Sequence, residues 1–95
     1  MLYFSELKGK RVITENGKRL GKLIDLVFLA QTQPVVTKLV IGTPQKYLII
    51  PLTYLIKLNT KITISNTYTS TGLDENELYV NKNVLDQQII DIKGN

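Results

Sequence analysis

Hydrophobic positions along this chain recur at every second residue rather than every third or fourth, the period of strands and not of helices. "KRVIT" (10–14) is short and β-branched, and Asn16-Gly17 follows it. That dipeptide predicts a two-residue hairpin turn with positive φ at both positions. "RLGKLIDLVFL" (19–29) is the returning strand. Strict alternation puts Leu20, Lys22, Ile24, Leu26 and Phe28 on one face, and Arg19, Gly21, Leu23, Asp25, Val27 and Leu29 on the other. Its second half is apolar on both faces, which fits a strand curling across a small barrel or one whose outer face meets a partner. Gly21 inside it predicts a bulge or sharp bend.

Turn residues at 31–34 lead into "VVTKLVIGT" (35–43), with Lys38 on the face opposite Leu39 and Ile41. "YLIIPL" (47–52) follows, and Pro51, which has no N–H to give a ladder, predicts that this strand ends there or lies on an edge. "LTYLIKL" (52–58) allows one helical turn, and "TKITIS" (60–65) alternates with Ile62 and Ile64 inward. The prediction is an all-β fold, a small β-barrel of five to six short antiparallel strands with at most one or two short helical turns.

At 95 residues the chain suffices for one small domain, and 43% hydrophobic with 21% charged residues is a globular composition. It contains no cysteine and no histidine, so disulfides, thiolate or imidazole zinc sites and Cys–His or Ser–His nucleophile pairs are excluded. No phosphate-cradling glycine motif occurs either, and a non-enzymatic role is expected, with no catalytic residue and no bound cofactor. The opening "MLYFSELKGK" lacks the basic and apolar regions of a signal peptide, so a cytoplasmic domain is expected.

The order "FSELKGKRVITENGKRLGKLIDLVFL", then "VTKLVIG", then "YLIIPLTYL" resembles the PRC-barrel domain family. The matching positions are Ser5, Leu7, Gly9, Lys10, Gly17, Leu20, Gly21, Leu23, Asp25 and the Ile49-Ile50-Pro51 segment, and the resemblance spans 4–65. It implies a PRC-type barrel that serves assembly and interaction rather than catalysis. Such units occur in the photosynthetic reaction-centre H subunit, in the ribosome maturation factor RimM, as free-standing small proteins and in the cytoplasmic part of MgtE-like magnesium-transporter proteins.

The tail "VLDQQIIDIKGN" (84–95) echoes "LKGKRVITENGK" (7–18), which divides the chain into a barrel (1–72), a linker (73–83) and the start of a second, truncated unit (84–95). Together with the resemblance, this implies a fragment of an MgtE-like magnesium-transport protein. Its partners would then be other domains of its own longer chain, with membrane association only indirect, through the parent transporter. A RimM-like, RNA-associated module is the alternative.

Charge adds two local readings. Lys8, Lys10, Arg11, Lys18, Arg19 and Lys22 face only Glu6 and Glu15 within the first 22 residues, so this end carries the whole net charge of +4. Without interleaved aromatics it reads as the solvated side of a hairpin, and no specific nucleic-acid binding is expected. Asp74, Glu75 and Glu77 form an acidic run whose oxygens suit a hard cation, weak Mg²⁺ in the transporter context, with a solvated linker as the plainer reading. Asp25 is expected to accept backbone hydrogen bonds. Leu23, Val27 and Leu29 are expected to leave an apolar stripe on the outer face, across which two copies would form a homodimer.

Overall fold

The computed structural model describes residues 2–81 and 89–90. A short strand β1 (Leu2–Tyr3) and a single helical turn α1 (Phe4–Leu7) precede the sheet. The sheet strands are β2 (Arg11–Thr14), β3 (Arg19–Leu29), β4 (Val35–Gly42), β5 (Tyr47–Pro51), β6 (Leu55–Leu58), β7 (Ile62–Ile64) and β8 (Glu77–Tyr79), and β9 (Ile89–Ile90) comes last. The seven sheet strands lie in the order β5-β4-β3-β2-β7-β6, with β8 added to β3. The all-β expectation is met, with one difference in pairing: β2 and β7 run parallel, Val12 beside Ile62 and Thr14 beside Ile64.

The sheet wraps one core without closing. Val12, Leu23, Leu26, Phe28, Leu39, Ile41, Ile50, Ile62 and Ile64 meet inside it, and Phe4 and Leu7 of α1 plug one end. Its two end strands, β5 and β6, are joined by a 3-10 turn at Leu52–Tyr54 rather than by a ladder, and Leu52, Tyr54, Leu55 and Leu58 pack against the core there. Pro51 ends β5 on the sheet's margin, as its missing N–H requires. The other hydrogen-bonding edge of β5 is not left bare: the Thr71 N–H donates to the Ile49 carbonyl, and the Ile49 N–H donates to Ser70 Oγ.

Bulges decide which side chains reach the core. Between β3 and β4 the register skips at Ile24, so Leu23 pairs with Ile41 while Asp25 pairs with Val40. One inserted residue moves every side chain beyond it to the other face. Leu23 therefore joins Leu26 and Phe28 in the core, and the strict alternation expected of β3 is corrected at this point. A second skip, at Thr37, lets Val27 pair with Lys38 and Phe28 with Val36. A third leaves Leu20 unmatched beside Gly21, where a bend was expected.

The hairpin turn differs from the two-residue form. Only Gly17 has positive φ, at 84°, while Asn16 does not. Gly17 donates to the Thr14 carbonyl at 2.9 Å, and Thr14 and Lys18 pair across the base, with Lys18 N–H also reaching Thr14 Oγ1 at 3.2 Å. A three-residue loop closed by a left-handed glycine accommodates the Leu20 bulge that follows.

Within the expected linker (73–83), Glu77–Tyr79 form a strand of this sheet. β8 pairs Glu77 with Leu29 and Tyr79 with Val27, and Val80 is buried in the core. The expected second unit at 84–95 lies outside the described residues except for Ile89–Ile90, which ladder with Leu2–Tyr3.

Gly21 marks the closest approach of two strands, because a Cβ there would overlap the Gly42 carbonyl oxygen. Gly21→Ala is expected to destabilise the domain by about 2 kcal/mol or more, since backbone must move to admit it. Gly72→Ala, with open space around its Cβ position and no positive φ, should stay within about 0.5 kcal/mol. Urea denaturation of the two variants checks the contrast.

Candidate functional site

Two features occupy the outer face of β3, β4 and β5: a buried charge cluster and a groove beside it. The cluster arises because β4 places Lys38 among apolar residues, with only 5% of its surface exposed. An ammonium so placed needs an acceptor for each of its three N–H groups. Lys38 Nζ donates to Glu77 Oε1 at 2.6 Å, to the Gly72 carbonyl at 2.8 Å and to Asp74 Oδ2 at 3.1 Å. Glu77, itself 8% exposed, also accepts from the Asp74 N–H at 2.7 Å and from Thr37 Oγ1 at 2.6 Å. The Thr37 bulge is what brings that hydroxyl and Lys38 to the same carboxylate.

A strap formed by 72–77 thus crosses β4 from the β5 edge to β8. Its turn is closed by Glu77 N–H to the Asp74 carbonyl, with Asn76 in the left-handed region at φ 66° and its carbonyl accepting from Ala30. Asparagine tolerates that conformation better than most side chains. At the strap's far end, Asp25 Oδ1 accepts from the Leu26 N–H at 2.8 Å and the Asn81 N–H at 3.1 Å. Asp25 accepts backbone hydrogen bonds as expected, and one of them anchors the segment after β8.

Burial alone would pull the Lys38 ammonium's pKa down, but hydrogen bonds to Glu77 and Asp74 outweigh it and hold the group above its ordinary 10.5. Burial would likewise push the Glu77 carboxyl up, but the Asp74 N–H, Lys38 and Thr37 hold it below its ordinary 4.5. Each ion stabilises the other's charged form.

The acidic run is therefore divided. Asp74 and Glu77 converge on the Lys38 ammonium, Glu75 is exposed, and no group of three acids among the described residues could hold a metal. A lysine takes the place the sequence suggested for a cation. The apolar stripe of Leu23, Val27 and Leu29 is corrected too: Leu23 lies in the core, Val27 is fully buried beside Lys38, and Leu29 is half-buried where β3 pairs with β8. That stripe is not available to a second copy. Sequence reasoning missed Lys38; its signal was a lone charge inside "VVTKLVIG".

The groove, of about 630 Å³, opens on this outer face between Thr71 and the segment from Tyr79 to Asn81. Ile24, Val40 and Ile49 line it, with Lys8, Asp25, Tyr47, Thr71, Tyr79 and Asn81 around them. Tyr47 is 72% exposed, an aromatic ring held out from an edge strand.

Removing Lys38 should cost about 3 kcal/mol, because Glu77 is left buried without a counter-ion, whereas removing the Glu77 charge leaves Lys38 its contacts to Asp74 and the Gly72 carbonyl. Lys38→Met is expected to lose that much and Glu77→Gln less, with the double variant Lys38→Met/Glu77→Leu losing less than the sum of the two. The pH dependence follows from the two shifts. The Glu77 contribution is present above its unfolded value near 4.5 and is lost as pH falls through the lower folded value. The Lys38 contribution is complete below 10.5 and is lost as pH rises through the higher folded value. Thermal melts from pH 2 to 12 should show both limbs, and Glu77→Gln should flatten the acid one.

No helix among the described residues is long and apolar enough to cross a membrane. A search of curated proteins finds no match to the chain. The family model of the PRC-barrel domain matches residues 1–69, the segment that carries β1 to β7 and both turns of helix. With more than half its length matched, and a mostly β fold wrapped around one core, the chain belongs to the PRC-barrel domain family.

Proposed function

We propose that the domain is a non-catalytic assembly module that holds a partner polypeptide in the groove on the outer face of β3, β4 and β5. The observation that carries this reading is the groove's make-up: an apolar floor of Ile24, Val40 and Ile49 beside a projecting Tyr47. Interfaces draw their energy from such aromatic anchors over desolvated aliphatic patches. The neighbouring ionisable groups support the same view, because Lys38 and Glu77 spend their donors and acceptors on one another and on the strap. Groups so occupied hold shape.

The natural occupant is another domain of the same, longer chain. The tail's echo of the opening residues fits a cytoplasmic unit of an MgtE-like magnesium-transport protein, in which this domain would act by differential contact with its neighbours in two states. The reading frame around the domain tests that assignment: CBS motifs and apolar spans beside it support the transporter parent, and their absence rejects it.

A photo-crosslinking amino acid at Tyr47 tests the groove itself in cells expressing the natural full-length protein. The expected outcome is one dominant adduct, reduced severalfold by Ile49→Arg, with none from the same probe at Asn59 on the far side. Equal adducts from both positions would reject the groove as the docking site.

A further inference from the structure

The opposite half of the sheet carries a second surface, built from cations that lie far apart in sequence. Val12, Ile62 and Ile64 are fully buried, so their neighbours Arg11, Ile13 and Thr63 take the outer face of β2 and β7. The register extends that face on both sides. Arg11 stands opposite Lys22 and Ile13 opposite Arg19 on β3, while Thr63 stands opposite Lys57 on β6. Arg11, Arg19, Lys22 and Lys57 are all exposed, as is Lys61 just before β7.

Both ion pairs among the described residues belong to Lys38. Glu15 sits in the hairpin turn, where its carboxylate accepts from the Asn66 N–H at 3.0 Å. Asp25, Asp74, Glu75 and Glu77 belong to the strap half. Like charges directly opposite one another, as Arg11 and Lys22 are, destabilise a sheet. A fold that brings five cations from three strands and a turn to one outer face is suited to an anionic partner.

We propose that the outer face of β3, β2, β7 and β6 docks the phosphate backbone of a nucleic-acid duplex, without reading its sequence. The dimensions favour a duplex. Three strand spacings separate β3 from β6, roughly 14 Å, close to the ~12 Å width of a B-form major groove. Cations on the two outer strands then meet phosphates on both sides of that groove, with Arg11 between them. An acidic peptide strand, about 5 Å wide, engages the cations of only two adjacent strands. A flat lipid surface touches only the crest of a wrapped sheet. The side chains between the cations are Ile13 and Thr63, so there is no aromatic platform for stacking unpaired bases.

Fluorescence anisotropy of the 95-residue chain with a labelled 20-base-pair duplex, titrated across KCl concentrations, tests this. The expected slope of log affinity against log salt is about −4.5 if all five cations contact phosphate. Two double variants, Arg11→Gln/Lys57→Gln and Arg19→Gln/Lys61→Gln, should each make the slope shallower by about 2 while keeping the wild-type melting curve. Lys46→Gln, in the turn between β4 and β5, should leave it unchanged. Duplex binding absent at low salt, or unaltered in both double variants, overturns the proposal. Tighter binding to a polyglutamate peptide or to vesicles containing phosphatidylserine at the same ionic strength also overturns it and reassigns the face.

Discussion

A single buried ammonium constrains much of this domain. Lys38 is buried in a largely apolar strand, and an uncompensated charge there would cost several kcal/mol. Its three donors can be satisfied only if Gly72, Asp74 and Glu77 are all brought over β4. That requirement fixes the path of the strap, places β8 against β3, and carries Val80 into the core. It also covers Val27, which would otherwise be an exposed apolar side chain. The pair is weak evidence for stability in itself, since an apolar replacement of similar volume is often as good. Its contribution is positional: it selects one route for the chain across the sheet.

That route creates the groove and removes an edge. Where residues 70–71 bond to Ile49, the free side of β5 is paired, which protects a short hydrophobic strand from adding to another sheet. Where Thr71 and the segment from Tyr79 to Asn81 stand beside Ile24, Val40 and Ile49, they leave a cleft with a tyrosine at its margin. The two halves of the sheet's outer face thus differ in kind. One half holds the domain's own acids against its own lysine. The other presents five cations with Ile13 and Thr63 between them, and the proposed partners divide along the same line.

The strand pattern was legible because alternation has a physical cause: a sheet with one face buried shows period two wherever the ladder is regular. β2 to β5 and β7 fall where turn residues and alternation put them, Pro51 ends β5, and the order of short motifs places residues 1–69 in the family. What failed were the inferences that carried alternation through a bulge. Leu23 and Val27 were assigned to one outer stripe, and an extra residue at Ile24 sends Leu23 to the core. Bulges leave little trace in a single sequence, because any residue can be the inserted one.

The sequence by itself determined the class of the fold, the positions of its main strands, the chemistry excluded by the lack of cysteine and histidine, and the excess of positive charge. Only the tertiary structure decided the partners. Asp74 and Glu77 read as a run of like charges, yet Lys38 lies 36 and 39 residues earlier and meets both. The parallel pairing of β2 with β7 likewise joins segments about 50 residues apart, and through it Lys57 and Lys61 come to lie beside Arg11, Arg19 and Lys22. Local composition sets what a segment prefers to bury or expose. Which charges face one another depends on register and on the path between strands, and those are fixed by satisfying every buried donor at once.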